Sequence, residues 1–308
     1  MQPLLIYETV HGSRAYGLAR EGSDEDLRGV IVGPPSWYFG FVGGPEQVAR
    51  SDDDVWIEVR KLVRLAAAAN PSMLEILFTD ARHHRVLTVE GALLLDARRQ
   101  FLSKRVEGTF AGYALSQMAR IRTHRRWLLT PPPQEPTRSA FGLPERSTIP
   151  RDQMGALEAL MGRGEMDGAA LPENFLDVLA REKRYRASRR EWEQHQQWQR
   201  ERNPKRAALE AAHGYDTKHA MHLVRLMRMA IEVLETGDLR VERPDRDELL
   251  AIRDGAWSYD ELEARCEALR DTIADTATRS RLPDAPDEAT LDALCVEIVA
   301  RTLARRKD

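Results

Sequence analysis

The chain has 308 residues, 49 acids against 46 Lys and Arg, and a net charge of -3 that conceals strongly charged local segments. That length allows two domains with cores of their own. No run of about eighteen apolar residues and no basic leader ahead of an apolar stretch occurs, so neither a membrane span nor a secretion signal is expected. Cys266 and Cys295 lack the paired spacing of a zinc ribbon and read as reduced thiols of a cytoplasmic protein.

The first element is the apolar run Leu4 to Val10, a buried strand, after which His11-Gly12-Ser13 turns the backbone where only a small residue lets another group come close. A short helical stretch from Arg14 to Ala19 follows, and Gly22-Ser23 closes a turn. Asp24 to Val32 then reads as a second strand, polar at its start and apolar at its end. Alternation puts Asp24 and Asp26 on one face and Glu25 on the other. Two carboxylates at a strand end make a site for a hard cation that keeps room for water and phosphate.

The Gly-Ser turn, with Asp24 eleven residues beyond Ser13 and Asp26 after it, resembles the core motif of the DNA polymerase beta-like nucleotidyltransferase superfamily. The longer stretches His11-Gly12-Ser13-Arg14-Ala15-Tyr16-Gly17-Leu18 and Gly22-Ser23-Asp24-Glu25-Asp26-Leu27-Arg28-Gly29-Val30 are similar to a group of bacterial and phage nucleotidyltransferases, some of them linked with RNA repair. The resemblance implies that Gly12 and Ser13 hold the terminal phosphates of an NTP. It also implies that Asp24 and Asp26 carry two magnesium ions, with manganese as an alternative. Without it, the same residues read as a polar hairpin with solvated acids.

Two ions shared between substrate oxygens generally need a third carboxylate. The strand from Asp52 to Val59 supplies candidates, with Asp54, Trp56 and Glu58 on one face. Glu58 is taken as the third ligand because the superfamily places its third acid on such a strand. It departs from the usual aspartate, and Asp54 is the alternative. Arg28, on the face of the paired acids, is expected to orient a carboxylate or touch a phosphate. A helix from Arg60 to Ala69 ends at Asn70-Pro71, which caps and opens a buried helix from Ser72 to Phe78. Glu75 within that apolar helix requires a partner.

Strand signals end near residue 100, prolines cluster from residue 130 to 153, and the remainder has helical period. The architecture expected is therefore α+β: a small mixed sheet as a nucleotidyltransferase domain over residues 1–100, then a larger helical domain over 101–308. The helical domain is expected to complete the nucleotide site, in the cleft between the two, and to contact the acceptor.

Within the helical part, Tyr215, Lys218, His222 and Arg225 fall on one helix face at intervals of three, four and three. The stretch Tyr215 to Leu226 is similar to a segment recurring in the resembled family, which implies a second wall of the nucleotide site with Lys218 and Arg225 on the triphosphate. A solvated or salt-bridged face is the plainer alternative. Residues 181–206 hold ten Lys or Arg and four acids, a balance of +6, interleaved with Tyr185, Trp192, His195 and Trp198. Basic side chains track phosphates while rings stack on unpaired bases, so this segment suits RNA. A charged helix with its tryptophans packed on the domain is the alternative.

The expected activity is magnesium-dependent transfer of a nucleoside monophosphate from an NTP to an acceptor hydroxyl, an RNA 3′ end being favoured. A small molecule or a protein side chain is the rival acceptor. A nucleic-acid-binding protein that has lost catalysis is the rival of another class.

Overall fold

The computed structural model describes residues 2–146, 155 and 173–305. Five strands form one mixed sheet: β1 (Leu4–His11), β2 (Asp26–Val32), β3 (Gln47–Ala49), β4 (Asp54–Glu58) and β5 (His84–Leu87), in the order β3-β4-β2-β1-β5. β1 runs antiparallel to β2 and β5, β2 parallel to β4, and β3 antiparallel to β4. The second strand starts at Asp26, not at Asp24 as the alternation suggested, so Asp24 lies in the loop before it.

Short helices α1 (Gly12–Ala15) and α2 (Ser36–Phe39) follow β1 and β2. β4 leads into α3 (Val59–Ala67) and α4 (Pro71–Phe78), and Asn70 caps α4 by accepting from the Met73 amide at 3.2 Å. After β5 come α5 (Val89–Asp96) and α6 (Arg105–Leu129). The remaining described helices are α7 (Glu173–Glu201), α8 (Pro204–His213), α9 (Thr217–Thr236), α10 (Arg246–Arg253), α11 (Tyr259–Arg279) and α12 (Glu288–Arg305). Ser258 and Glu261 form the expected capping box at the start of α11. A small mixed sheet followed by a larger helical part is the α+β arrangement expected.

The chain divides into two compact units, one of Met1–Ile121 with Ala212–Asp308, the other of Arg122–Ala211. The division differs from the expected boundary at residue 100. The reason is a shared core: Ile6, Val30, Leu62 and Leu74 around the sheet belong to one buried apolar cluster with Leu223, Val224 and Met227 of α9 and Ile298 of α12. An apolar face on each late helix needs cover, and the sheet side provides it. α9 is thereby part of the unit that carries Gly12 and Asp26.

In the second unit, Glu182 of α7 is buried and receives both ends of the Arg138 guanidinium at 3.0 and 2.8 Å, with Arg186 Nε at 3.0 Å. This fork anchors the proline-rich connection, of which residues 147–153 lie outside the described residues.

Candidate active site

β1 ends at His11, paired across the sheet with Asp26. Gly12 then adopts φ +69°, and a Cβ placed there would lie 2.2 Å from Asp26 Oδ2. The glycine is required on both counts: a side chain is strained at that φ and would occupy the place of the carboxylate. The Ser13 carbonyl accepts from the Leu18 amide at 2.8 Å, which rounds off the turn. Arg14 fixes the acid-bearing loop, donating to the Ser23 carbonyl at 2.9 Å and the Asp24 carbonyl at 3.3 Å. The turn and both aspartates thus meet at one sheet end, with Asp24 exposed and Asp26 half-buried.

Glu58 is not brought to them. Parallel pairing sets Glu58 opposite Ile31, five residues or roughly 16 Å along β2 from Asp26. Its buried carboxylate accepts from Tyr38 Oη at 2.9 Å, the Arg60 amide at 3.0 Å and Arg60 Nε at 3.2 Å, capping α3. Alternation does put Asp54, Trp56 and Glu58 on one face of β4, but β4 runs parallel to β2, which sends its far end away from the acids. Asp54 lies opposite Leu27, so its side chain shares Leu27's face rather than that of Asp26, and it pairs with Arg50 at 3.3 Å. Among the described residues Arg28 pairs with no carboxylate; it donates to the Leu27 and Asp53 carbonyls at 2.7 and 3.1 Å. Among the described residues no group of three or more His, Cys, Asp or Glu is placed to hold a metal.

α9 does come to the turn, though not with the side chains in the roles expected. Tyr215 precedes the helix, is buried, and donates from Oη to the Trp257 carbonyl at 2.8 Å; it is a core residue. Asp216 caps α9 through the His219 amide at 2.9 Å. Arg225 is buried and ion-paired with Glu75 at 2.5 Å, its guanidinium 3.7 Å from the centre of the Tyr16 ring. Tyr16 Oη donates to the other Glu75 oxygen at 2.6 Å, and His11 Nε2 lies 3.4 Å from it. Burial works to raise the Glu75 pKa, but Arg225, His11 and Tyr16 outweigh it and hold the carboxyl at about 2. The arginine assigned to a triphosphate therefore stands beneath the turn as a structural counter-ion.

His222, one turn before Arg225, lies edge-on to Tyr16 with ring centres 6.4 Å apart. Burial, then Arg225, Lys218 and His219, push its pKa down to about 3, so the imidazole is neutral at physiological pH. Lys218 is half-exposed on the same face. His11, Tyr16 and Glu75 are the members that sequence reasoning did not assemble. An acid in an apolar helix announced that Glu75 had a partner, but not that the partner lay 150 residues on.

In the second unit the basic segment has turned its rings inward. His195 is buried, and with Trp198 it packs against His124 and Trp127 at ring-centre distances of 5.2 to 5.7 Å. Tyr185 and Trp192 lie under Arg138 and Arg189 at 5.3 Å each. Arg181, Arg186, Arg189 and Arg202 are ion-paired, whereas Lys183, Arg184, Arg190, Arg200 and Lys205 are exposed.

Residues 2–129 match the sequence model of RlaP, the RNA repair pathway DNA polymerase beta family. This stretch, less than half of the chain, is similar to polymerase beta-like proteins linked with RNA repair, the same resemblance that the Gly-Ser turn and the acids carry. The chain is also 32% identical over 89 residues to YcgL, an uncharacterized protein of Bacillus subtilis (strain 168). That match covers 27% of this chain and 34% of the relative, so the chain spans about a third of the relative's length. No solved structure matches. No helix among the described residues is long and apolar enough to cross a membrane.

Proposed function

We propose that the protein is a magnesium-dependent nucleotidyltransferase that moves a nucleoside monophosphate from an NTP to an acceptor hydroxyl. The acceptor oxygen bonds to the α-phosphorus, the bond from that phosphorus to the bridging oxygen breaks, and pyrophosphate leaves while the hydroxyl proton passes to solvent. The observation that carries the reading is the Asp26 carboxylate standing where a Gly12 side chain would be. A glycine turn and a carboxylate in that proximity let a phosphate and a cation share one space.

The donor set fits magnesium. Asp24 and Asp26 offer oxygen only, and this ion is commonly held by one or two carboxylates with water and substrate phosphates completing the shell. Bound there, it supplies positive charge that acidifies an attacking hydroxyl and steadies a leaving pyrophosphate. Gly12 and Ser13 seat the terminal phosphates, Lys218 offsets their charge, and neutral His222 is available as a single hydrogen-bond donor. Glu75 and Arg225 hold the turn and α9 in register from below.

An RNA end is the favoured acceptor, on the RNA-repair association of the matched family and the exposed basic side chains of residues 183–205. The inward packing of Trp198 and His195 favours the second reading, a small-molecule or protein hydroxyl that needs no stacking platform. The test is incubation of the full chain with magnesium, each labelled NTP and a mixed small-RNA pool, beside an Asp24→Ala, Asp26→Ala variant. Label entering RNA with the wild type alone supports the first reading. Label on protein or small molecules supports the second, and no aspartate-dependent transfer refutes both.

A further inference from the structure

The start of α9, the end of α10 and the turn ahead of Asp24 meet at one place. Thr217 Oγ1 donates to the Arg253 carbonyl at 2.7 Å, and Arg20 Nη2 pairs with Asp254 Oδ2 at 2.6 Å. The Arg20 amide donates to Ser23 Oγ at 2.9 Å, and the Ser23 amide returns a bond to the Arg20 carbonyl at 2.9 Å. Ser23 directly precedes Asp24. On the other side, Lys218 follows Thr217 and bears electrostatically on His222, whose ring meets Tyr16 beside the glycine turn. These contacts join the loop that carries Asp24 to the start of α9 and the end of α10.

Arg253 is the anomalous member. It is half-buried, and among the described residues no carboxylate pairs with its guanidinium. Burial and then the neighbouring Arg20 pull its pKa down, with Asp254 opposing them. Asp254 itself is engaged by Arg20. A fork of donors kept partly out of water beside a second guanidinium is unfavourable until an anion arrives, and phosphate is the anion that such a fork matches.

We propose that Arg253, with Arg20 behind it, binds a substrate phosphate at the Asp24 edge of the site. The nucleotidyltransferase reading suggests two sources of that phosphate, the NTP and the backbone of an RNA acceptor. The anion site itself does not depend on that reading.

The experiment measures binding of a fluorescent NTP with magnesium, and separately of a labelled short RNA over a range of salt, to the wild type and to Arg253→Met and Arg253→Lys. Arg253→Met should weaken one ligand by about tenfold or more, as expected for a lost charged hydrogen bond. Loss confined to the NTP assigns the site to the nucleotide. Loss confined to RNA, with the log-log salt slope reduced by about 0.7 for one phosphate of a single strand, assigns it to the acceptor. Arg253→Lys should keep most of the salt slope, and thermal melting verifies that each variant folds. Should Arg253→Met not fold, Arg20→Met serves in its place, and Asp254→Asn should tighten the same ligand by removing the competing carboxylate. Both affinities within about twofold of wild type would overturn this inference while leaving the transferase reading standing, since a lost charge-assisted bond costs more than that. Arg253-dependent binding in a protein that transfers nothing would do the reverse. A wild type that binds neither ligand overturns both.

Discussion

At Gly12 the whole site depends on the absence of one carbon. Alanine there meets Asp26 Oδ2 at 2.2 Å and a left-handed backbone at once. Gly12→Ala should therefore lower nucleotide transfer by about a hundredfold, the scale of an ångström-sized misplacement, and destabilise the fold by about 1–3 kcal/mol. Single-turnover rates and thermal melting measure the two effects separately. Glu75 poses the opposite problem, a charge that must be present. Glu75→Gln leaves Arg225 buried without its counter-ion and should cost about 3–5 kcal/mol in denaturant unfolding. If the pair is structural, as its burial implies, Glu75→Gln combined with Arg225→Met should recover much of that loss. A direct phosphate role for Arg225 would show as NTP affinity lost in the double variant even though its stability is recovered.

At the level of elements, the turn, the capped helices and the buried acid were legible because each is written within a few residues. Gly12-Ser13, Asn70-Pro71 and Ser258 to Glu261 each specify local geometry through one steric or hydrogen-bonding requirement. Strand direction is not local. Nothing within Asp54 to Glu58 states that β4 lies parallel to β2, yet that pairing decides which end of β4 meets Asp26. The same limit hid the inward turn of the tryptophans, since Trp127 and Trp198 belong to helices far apart in the chain. Glu58→Ala tests the corrected role. It removes the cap of α3 and leaves Tyr38 Oη without its acceptor, which should cost about 1–3 kcal/mol. Transfer per folded molecule should remain within about threefold of wild type, whereas Asp26→Asn should lose the two to four orders of magnitude typical of a group at the reacting centre. Glu58→Ala failing as severely as Asp26→Asn, with the fold intact, would restore Glu58 to the site.

For the molecule as a whole, burying α9 against the glycine turn makes stability depend on pH. His222 titrates near 6.5 when unfolded and at about 3 when folded, so between those values the unfolded chain takes up a proton that the folded one refuses. Stability from this residue is complete above pH 6.5 and is lost as pH falls toward 3. His83, lowered by burial and by Arg82, acts in the same direction. Glu75 adds a second loss at lower pH, from about 4.5 down through its folded value of about 2, because its ion pair with Arg225 disappears on protonation. The unfolding free energy should accordingly fall between pH 7 and pH 5, with His222 contributing at most about 1.4 kcal/mol per pH unit, less because the residue is only half-buried. Denaturant titrations across that range measure the slope directly. His222→Gln should flatten it without abolishing it, since His83 continues to titrate. An unchanged slope in that variant would mean that α9 admits water to His222, and that the turn and the helix are held less tightly than their shared Glu75–Arg225 pair requires.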